Sequence, residues 1–206
     1  MVLKPQASKK PGKIRTLYNK YAEYYRISGA GSVMRRYFAL NFFDGVLTVL
    51  GILLSSLFFR AESALLVKTA CIGAAVALGV SGVWGAYFAE GAERRLKIHK
   101  LEKAVLHKLD HTDIDAAEKF ATKLIAIVNG LTPVIAALIT ISPFIFAPNA
   151  ALHSLYIVSI GFAFVLLFLL GAYLGVISEE DAIMSGFKLL IAGIVCAVVL
   201  FLVGKI

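Results

Sequence analysis

Asp44, in the run Asn41-Phe-Phe-Asp-Gly-Val-Leu-Thr48, stands inside the first long apolar stretch of the chain. A carboxylate at bilayer depth costs about 3 kcal/mol even on mild scales, so such a group faces a protein-lined path or a partner rather than lipid. At helical spacing Asn41, Asp44, Thr48, Gly51 and Ser55 form one polar or small stripe, with Gly45 beside Asp44. Phe42, Phe43, Leu47, Leu50 and Leu54 cover the other sides. Carboxylate oxygens suit hard or borderline divalent cations. A carboxylate that alternates between proton and metal supports exchange of one for the other, because bound metal favours the ionised form.

Glu90 and Glu93 lie one turn apart at the end of the second apolar stretch, and Gly79, Gly82, Ala86, Glu90, Glu93 and Lys97 trace a stripe. If this stripe faces that of Asp44, three carboxylates line one route. The alternative for Glu93 is a surface salt bridge with Lys97. His107, Asp110 and His111, at i, i+3 and i+4, would present three transition-metal ligands on one helical face, followed by Asp113, Asp115 and Glu118. With Lys103 and Lys108 nearby, the same residues also fit an ordinary solvated loop. There is no GxSxG, no HExxH and no glycine-rich phosphate loop, so the chain does not read as an enzyme.

The elements that position these residues follow from composition. The 206 residues are 59% hydrophobic with a mean hydropathy of +0.82, which defines an integral membrane protein. About twenty apolar residues cross a bilayer as a helix. That ruler predicts an all-α polytopic fold with five transmembrane helices near 37–59, 64–88, 123–146, 151–177 and 182–204. The chain divides into a basic tail (1–36), helices one and two (37–90), a polar helical connection (91–120) and helices three to five (121–206). Pro133 and Pro143 predict two interruptions of the third span, and Cys71 and Cys196 read as small packing residues rather than a disulfide or metal pair.

The tail holds Lys4, Lys9, Lys10, Lys13, Arg15, Lys20, Arg26, Arg35 and Arg36 against the single acid Glu23. Basic flanks stay inside, which predicts the N-terminus in the cytosol and the C-terminus outside, in the cytoplasmic membrane. Within the tail, Ile14, Leu17, Tyr18, Tyr21 and Tyr25 predict a short interfacial helix, followed by a flexible joint at 28–32. The net charge of +8 borders the membrane, so anionic lipid headgroups are the expected partner and nucleic acid is not. The acidic connection Glu179-Glu-Asp181 runs against this orientation, although acids count little in the rule.

Asp44-Gly-Val-Leu-Thr-Val-Leu-Gly51 and Ser81-Gly-Val-Trp-Gly-Ala-Tyr-Phe-Ala89, followed by Glu90 and Glu93, resemble the vacuolar iron transporter family. The resemblance implies a homodimer with a metal path at its interface, exporting ferrous iron or manganese from the cytosol in exchange for protons, with no tightly bound cofactor. It assigns cation coordination to Asp44. Gly82 stands at the family's methionine position and Ala86 at its glutamate position, so Glu90, one turn onward, takes the place of the missing carboxylate. The competing expectation is a divergent relative that does not transport and serves as a membrane scaffold or partner-binding subunit.

Overall fold

The computed structural model describes residues 13–204, apart from the side chains of residues 13–16 and 18. The expectations for Lys4, Lys9 and Lys10, and for the side chains of Lys13, Ile14, Arg15 and Tyr18, lie outside that description. The described residues form α1 (Lys13–Ser28), α2 (Ala30–Phe58), α3 (Ala64–Val105), α4 (Asp113–Thr140), α5 (Ser142–Phe146), α6 (Leu152–Ile177) and α7 (Ala182–Val203). The fold is all-α, and α2, α3, α4, α6 and α7 are each long and apolar enough to cross a membrane.

Helix α2 begins seven residues before the expected position. Ala30 is fully buried against Ala121 and Ile125 of α4, which holds the chain in helical form from that point. The expected joint at 28–32 therefore shrinks to Gly29, whose φ of 62° is the left-handed conformation that glycine adopts without a Cβ penalty. In α1 it is Tyr24, outside the expected stripe, that faces the bundle. Its hydroxyl donates to Asp113 Oδ1 at 3.4 Å, and the Tyr21 ring sits 5.2 Å from that of Phe120. Leu17, Tyr21 and Tyr25 remain exposed. The Tyr24 hydroxyl beside Lys20 holds that ammonium above its usual range.

At 42 residues, α3 is about 63 Å long, twice the thickness of a bilayer core, so its second half projects beyond the membrane. Ser63 caps its start by accepting the Leu66 amide, and Leu106, in the left-handed region, ends it. Thr112 caps α4, its Oγ1 accepting the Asp115 amide at 3.3 Å. Pro133 lies within α4 without ending it, so of the two predicted interruptions only one breaks the helix, at Ile141 between α4 and α5. Pro143 falls in the first turn of α5, where its missing N–H is tolerated.

Helix α4 packs against both α2 and α3, and α6 pairs with α7. Toward the C-terminal end of α2, Val49, Leu53, Val67, Cys71, Ala75 and Phe144 close the core. Cys71 is fully buried there as a packing residue. Helices α6 and α7 touch through glycine: a Cβ at Gly171 would stand 2.5 Å from the Ser185 carbonyl oxygen. Two of the three acids at the α6–α7 turn have structural partners. Asp181 caps α7 by accepting the Met184 amide at 2.7 Å, and Glu180 pairs with Lys188 at 3.1 Å.

Candidate metal path

Asp44 is the central residue of the 29-residue α2, fourteen residues from either end. It lies on the helix face turned away from the core, where Val46, Val49, Leu50 and Leu53 are fully buried. Asp44 itself is exposed, and among the described residues nothing bonds to it. The rest of its stripe is only half covered: Asn41, Thr48, Gly51 and Ser55 are intermediate in burial, and a Cβ at Gly51 would meet nothing within 4 Å. The position of Asp44 follows from its neighbour Gly45. A Cβ at Gly45 would stand 2.5 Å from the Pro133 carbonyl oxygen, so α2 presses that side onto α4 and rolls Asp44 outward.

One turn toward the N-terminal face, a polar bridge crosses three helices. The Asn41 side-chain amide donates to the Asn129 side-chain oxygen, and the Asn129 amide donates to the Gly82 carbonyl at 2.7 Å. The Asn129 backbone carbonyl, four residues before Pro133 and so deprived of its helical donor, lies against Gly82. Gly79, Gly82 and Gly130 let α3 and α4 meet backbone to backbone; a Cβ at Gly130 would come within 2.6 Å of the Gly79 carbonyl oxygen. Asn129 and Gly130 belong to a buried α4 stripe that includes Ala117, Glu118, Ala121, Thr122, Ile125, Ala126 and Pro133.

The stripe expected to face Asp44 thus turns elsewhere. Gly79 and Gly82 press on α4, and Ala86 is buried. Glu90 is 8% exposed, with its carboxylate 3.3 Å from Arg94 Nε one turn on and the Tyr37 hydroxyl of α2 beside it. Tyr37 precedes Asp44 by seven residues, about 10 Å along the same helix face, so buried Glu90 reaches α2 about two turns from exposed Asp44 and does not meet it.

Arg94 also pairs with Glu118 of α4, which takes Lys97 on its other oxygen. Two acids and two bases therefore form a neutral, largely buried cluster where α3 leaves the apolar region. Lys97 bonds to Glu118 rather than to Glu93, which is exposed, so the expected Glu93–Lys97 bridge does not form. Sequence reasoning overlooked Glu118, Arg94 and Asn129 as structural polar residues. The available signal was the helical spacing of 118, 122, 125 and 129 among small buried residues.

His107, Asp110 and His111 do not share a helical face, because α3 ends at Val105 and His111 adopts a φ of 62° within the turn before α4. The reason is local: Leu106 takes the left-handed conformation, and the Leu109 amide bonds back to Glu102 at 2.9 Å, folding the chain over. Among the described residues, no three His, Cys, Asp or Glu side chains of one chain converge as a metal cage.

These features define a membrane protein with five helices long and apolar enough to span and, at the middle of the first, an acid without a partner among the described residues. The chain matches the VIT family model over residues 97–205, just over half its length, and belongs to that family. The membership points to a membrane metal-ion transporter, since members of the family are transporters rather than enzymes. An uncharacterised protein of Methanocaldococcus jannaschii is 29% identical over 174 residues, covering 82% of this chain and 88% of the relative. No solved structure matches. The family match begins after both Asp44 and Glu90, so it carries the family and leaves the ligands to be argued from geometry.

Proposed function

We propose that the protein is a homodimeric transporter that moves a divalent cation, ferrous iron or manganese, out of the cytosol across the cytoplasmic membrane in exchange for protons. The observation that carries this reading is the exposure of Asp44 at the centre of α2 without a partner among the described residues. A lone carboxylate at that depth is unfavourable against lipid. A second copy laid along the Asn41–Ser55 stripe covers it and brings two such carboxylates to one seam, so that cation binding relieves their mutual repulsion.

In this reading the N-terminus lies in the cytosol, and the ion enters past exposed Glu93 and then Glu90 and Tyr37, passes the Asn41 amide and reaches Asp44. Gly45 sets the orientation of Asp44, and Thr48 offers the next oxygen beyond it. Arg94 already neutralises Glu90, so Asp44 is the principal ligand and Glu90 is a relay that must exchange Arg94 for the ion. Gly82 and Ala86 act through packing, as the contacts of Gly82 with α4 and the burial of Ala86 support. His107, Asp110 and His111 form at most an accessory site in the polar connection, assembled only if the turn rearranges.

The occupation of Gly82 and Ala86 in helix packing also favours a second reading, a non-transporting scaffold. Ferrous iron and manganese flux into proteoliposomes separates the two. Transport by the wild type and its loss in Asp44→Asn support the transporter; wild-type flux equal to that of empty vesicles leaves the scaffold.

A further inference from the structure

We infer that the protein binds one anionic phospholipid in a groove between α2 and α6, with the headgroup on Arg35 and an acyl chain along the apolar wall below it. The groove encloses about 570 Å³ and is lined by Met34, Phe38 and Phe42 of α2 and by Leu166 and Leu169 of α6. From Gly31 to Phe42 it follows α2 for eleven residues, about 16 Å along the helix axis. Its length therefore runs across the leaflet at the N-terminal face, as an acyl chain does.

The mouth and the floor differ in chemistry. Arg35 and Tyr25 line the end of the groove nearest the start of α2, with the Tyr173 ring 5.8 Å from that of Phe38 just below, and among the described residues Arg35 has neither an acid nor a hydrogen-bond partner. Below them the walls carry only aliphatic and aromatic side chains, which offer water none of the hydrogen bonds that hold it in a cavity. A free guanidinium at headgroup level above a dry slot fits a phosphate ester attached to a hydrocarbon chain. Tyrosine at the same level favours the headgroup boundary.

The site is separate from the proposed metal path. Phe42 precedes Asp44 by two residues, about 200° around α2, so the groove stays open to lipid when the Asp44 stripe is covered. Tyr25 belongs to α1 and rests on Gly31 of α2, so a bound lipid also braces α1 across the Gly29 joint.

The test uses the full-length protein in detergent micelles containing equal phosphatidylcholine and phosphatidylglycerol, with bound lipid counted by native mass spectrometry. Wild type should retain phosphatidylglycerol over phosphatidylcholine by about fivefold, and Arg35→Gln should remove that preference, the effect expected of one basic residue at an anionic surface. Leu169→Trp, a substitution at a position 55% exposed, should fill the slot and lower retention of both lipids. Arg60→Gln, at the opposite end of α2, should leave retention unchanged. Equal retention of the two lipids by wild type, or the same loss in Arg60→Gln as in Arg35→Gln, would overturn the inference. Arg35 is exposed, so its substitution decides the matter even if the tryptophan variant fails to fold.

Discussion

Asn129 on α4 donates its side-chain amide to the Gly82 carbonyl on α3 while accepting the Asn41 amide of α2, so one side chain ties three helices together beside Asp44. Interhelical hydrogen bonds of this kind contribute about 0.6 kcal/mol each on average in membranes. Asn129→Ala removes two of them and leaves the Asn41 amide and the Gly82 carbonyl without these partners. The expected loss is about 1–2 kcal/mol, read by reversible unfolding in mixed micelles. An unchanged unfolding midpoint would show that the bridge contributes nothing.

The glycines of α3 and α4 should separate into two classes. Gly130→Val drives a branched side chain into the α3 backbone and should destabilise by about 1–3 kcal/mol through overpacking. Gly73→Ala and Gly85→Ala meet nothing within 4 Å of the new Cβ and should unfold at the wild-type midpoint or slightly above it, because alanine favours the helix. The same unfolding assay tests both classes.

Gly51 distinguishes a single chain from a dimer. Its Cβ direction is empty in one chain, so Gly51→Leu is harmless to a monomer. If a second copy covers the Asp44 stripe, the added side chain obstructs the seam, at a cost of about 1–3 kcal/mol, or about 5- to 150-fold in the dimer dissociation constant. Single-molecule photobleaching in liposomes over a range of dilution reads the shift. A wild-type protein monomeric at every dilution would remove the dimer from the proposal.

The buried ionic cluster predicts unequal losses. Arg94→Met leaves Glu90 and Glu118 facing each other without their shared cation, a break in a buried pair expected to cost about 3–5 kcal/mol. The Lys97 side chain is 52% exposed, so Lys97→Met should cost about 1 kcal/mol or less and lose that effect in high salt. Thermal unfolding at low and high salt measures both. Equal losses would show that burial does not distinguish the two cations.

Loosening the Arg94 pair should also release the Glu90 carboxylate. In proteoliposomes Arg94→Lys, which retains charge but loses the fork that reaches both acids, should alter the metal concentration for half-maximal flux more than the maximal rate. Asp44→Asn should abolish the rate itself. A variant with both parameters unchanged would exclude Glu90 from the entry route.

The sequence alone determined the number of spanning helices, because twenty-residue apolar runs have no other stable form in lipid. It also singled out Asp44, since an acid in such a run is conspicuous by composition. The resemblance carried by Asp44–Gly51 and Ser81–Ala89 identified the family without coordinates, although the family-model match lies over 97–205. Facing relationships were a different matter. Amphipathic periodicity shows which residues share a side of a helix but not which neighbour that side meets, and small residues fit a helix crossing as well as a path.

Only the tertiary structure decided that Gly79 and Gly82 are pressed against Gly130, that Lys97 reaches across to Glu118 rather than back to Glu93, and that the histidine segment turns instead of continuing as helix. It likewise turned Asp44 outward, because Gly45 and Pro133 allow α2 and α4 to approach on one side of the helix alone. Span number is fixed by the free energy of isolated segments in the bilayer. The pairing of faces is fixed by the shapes of two helices at once, and a linear pattern carries only one of them at a time.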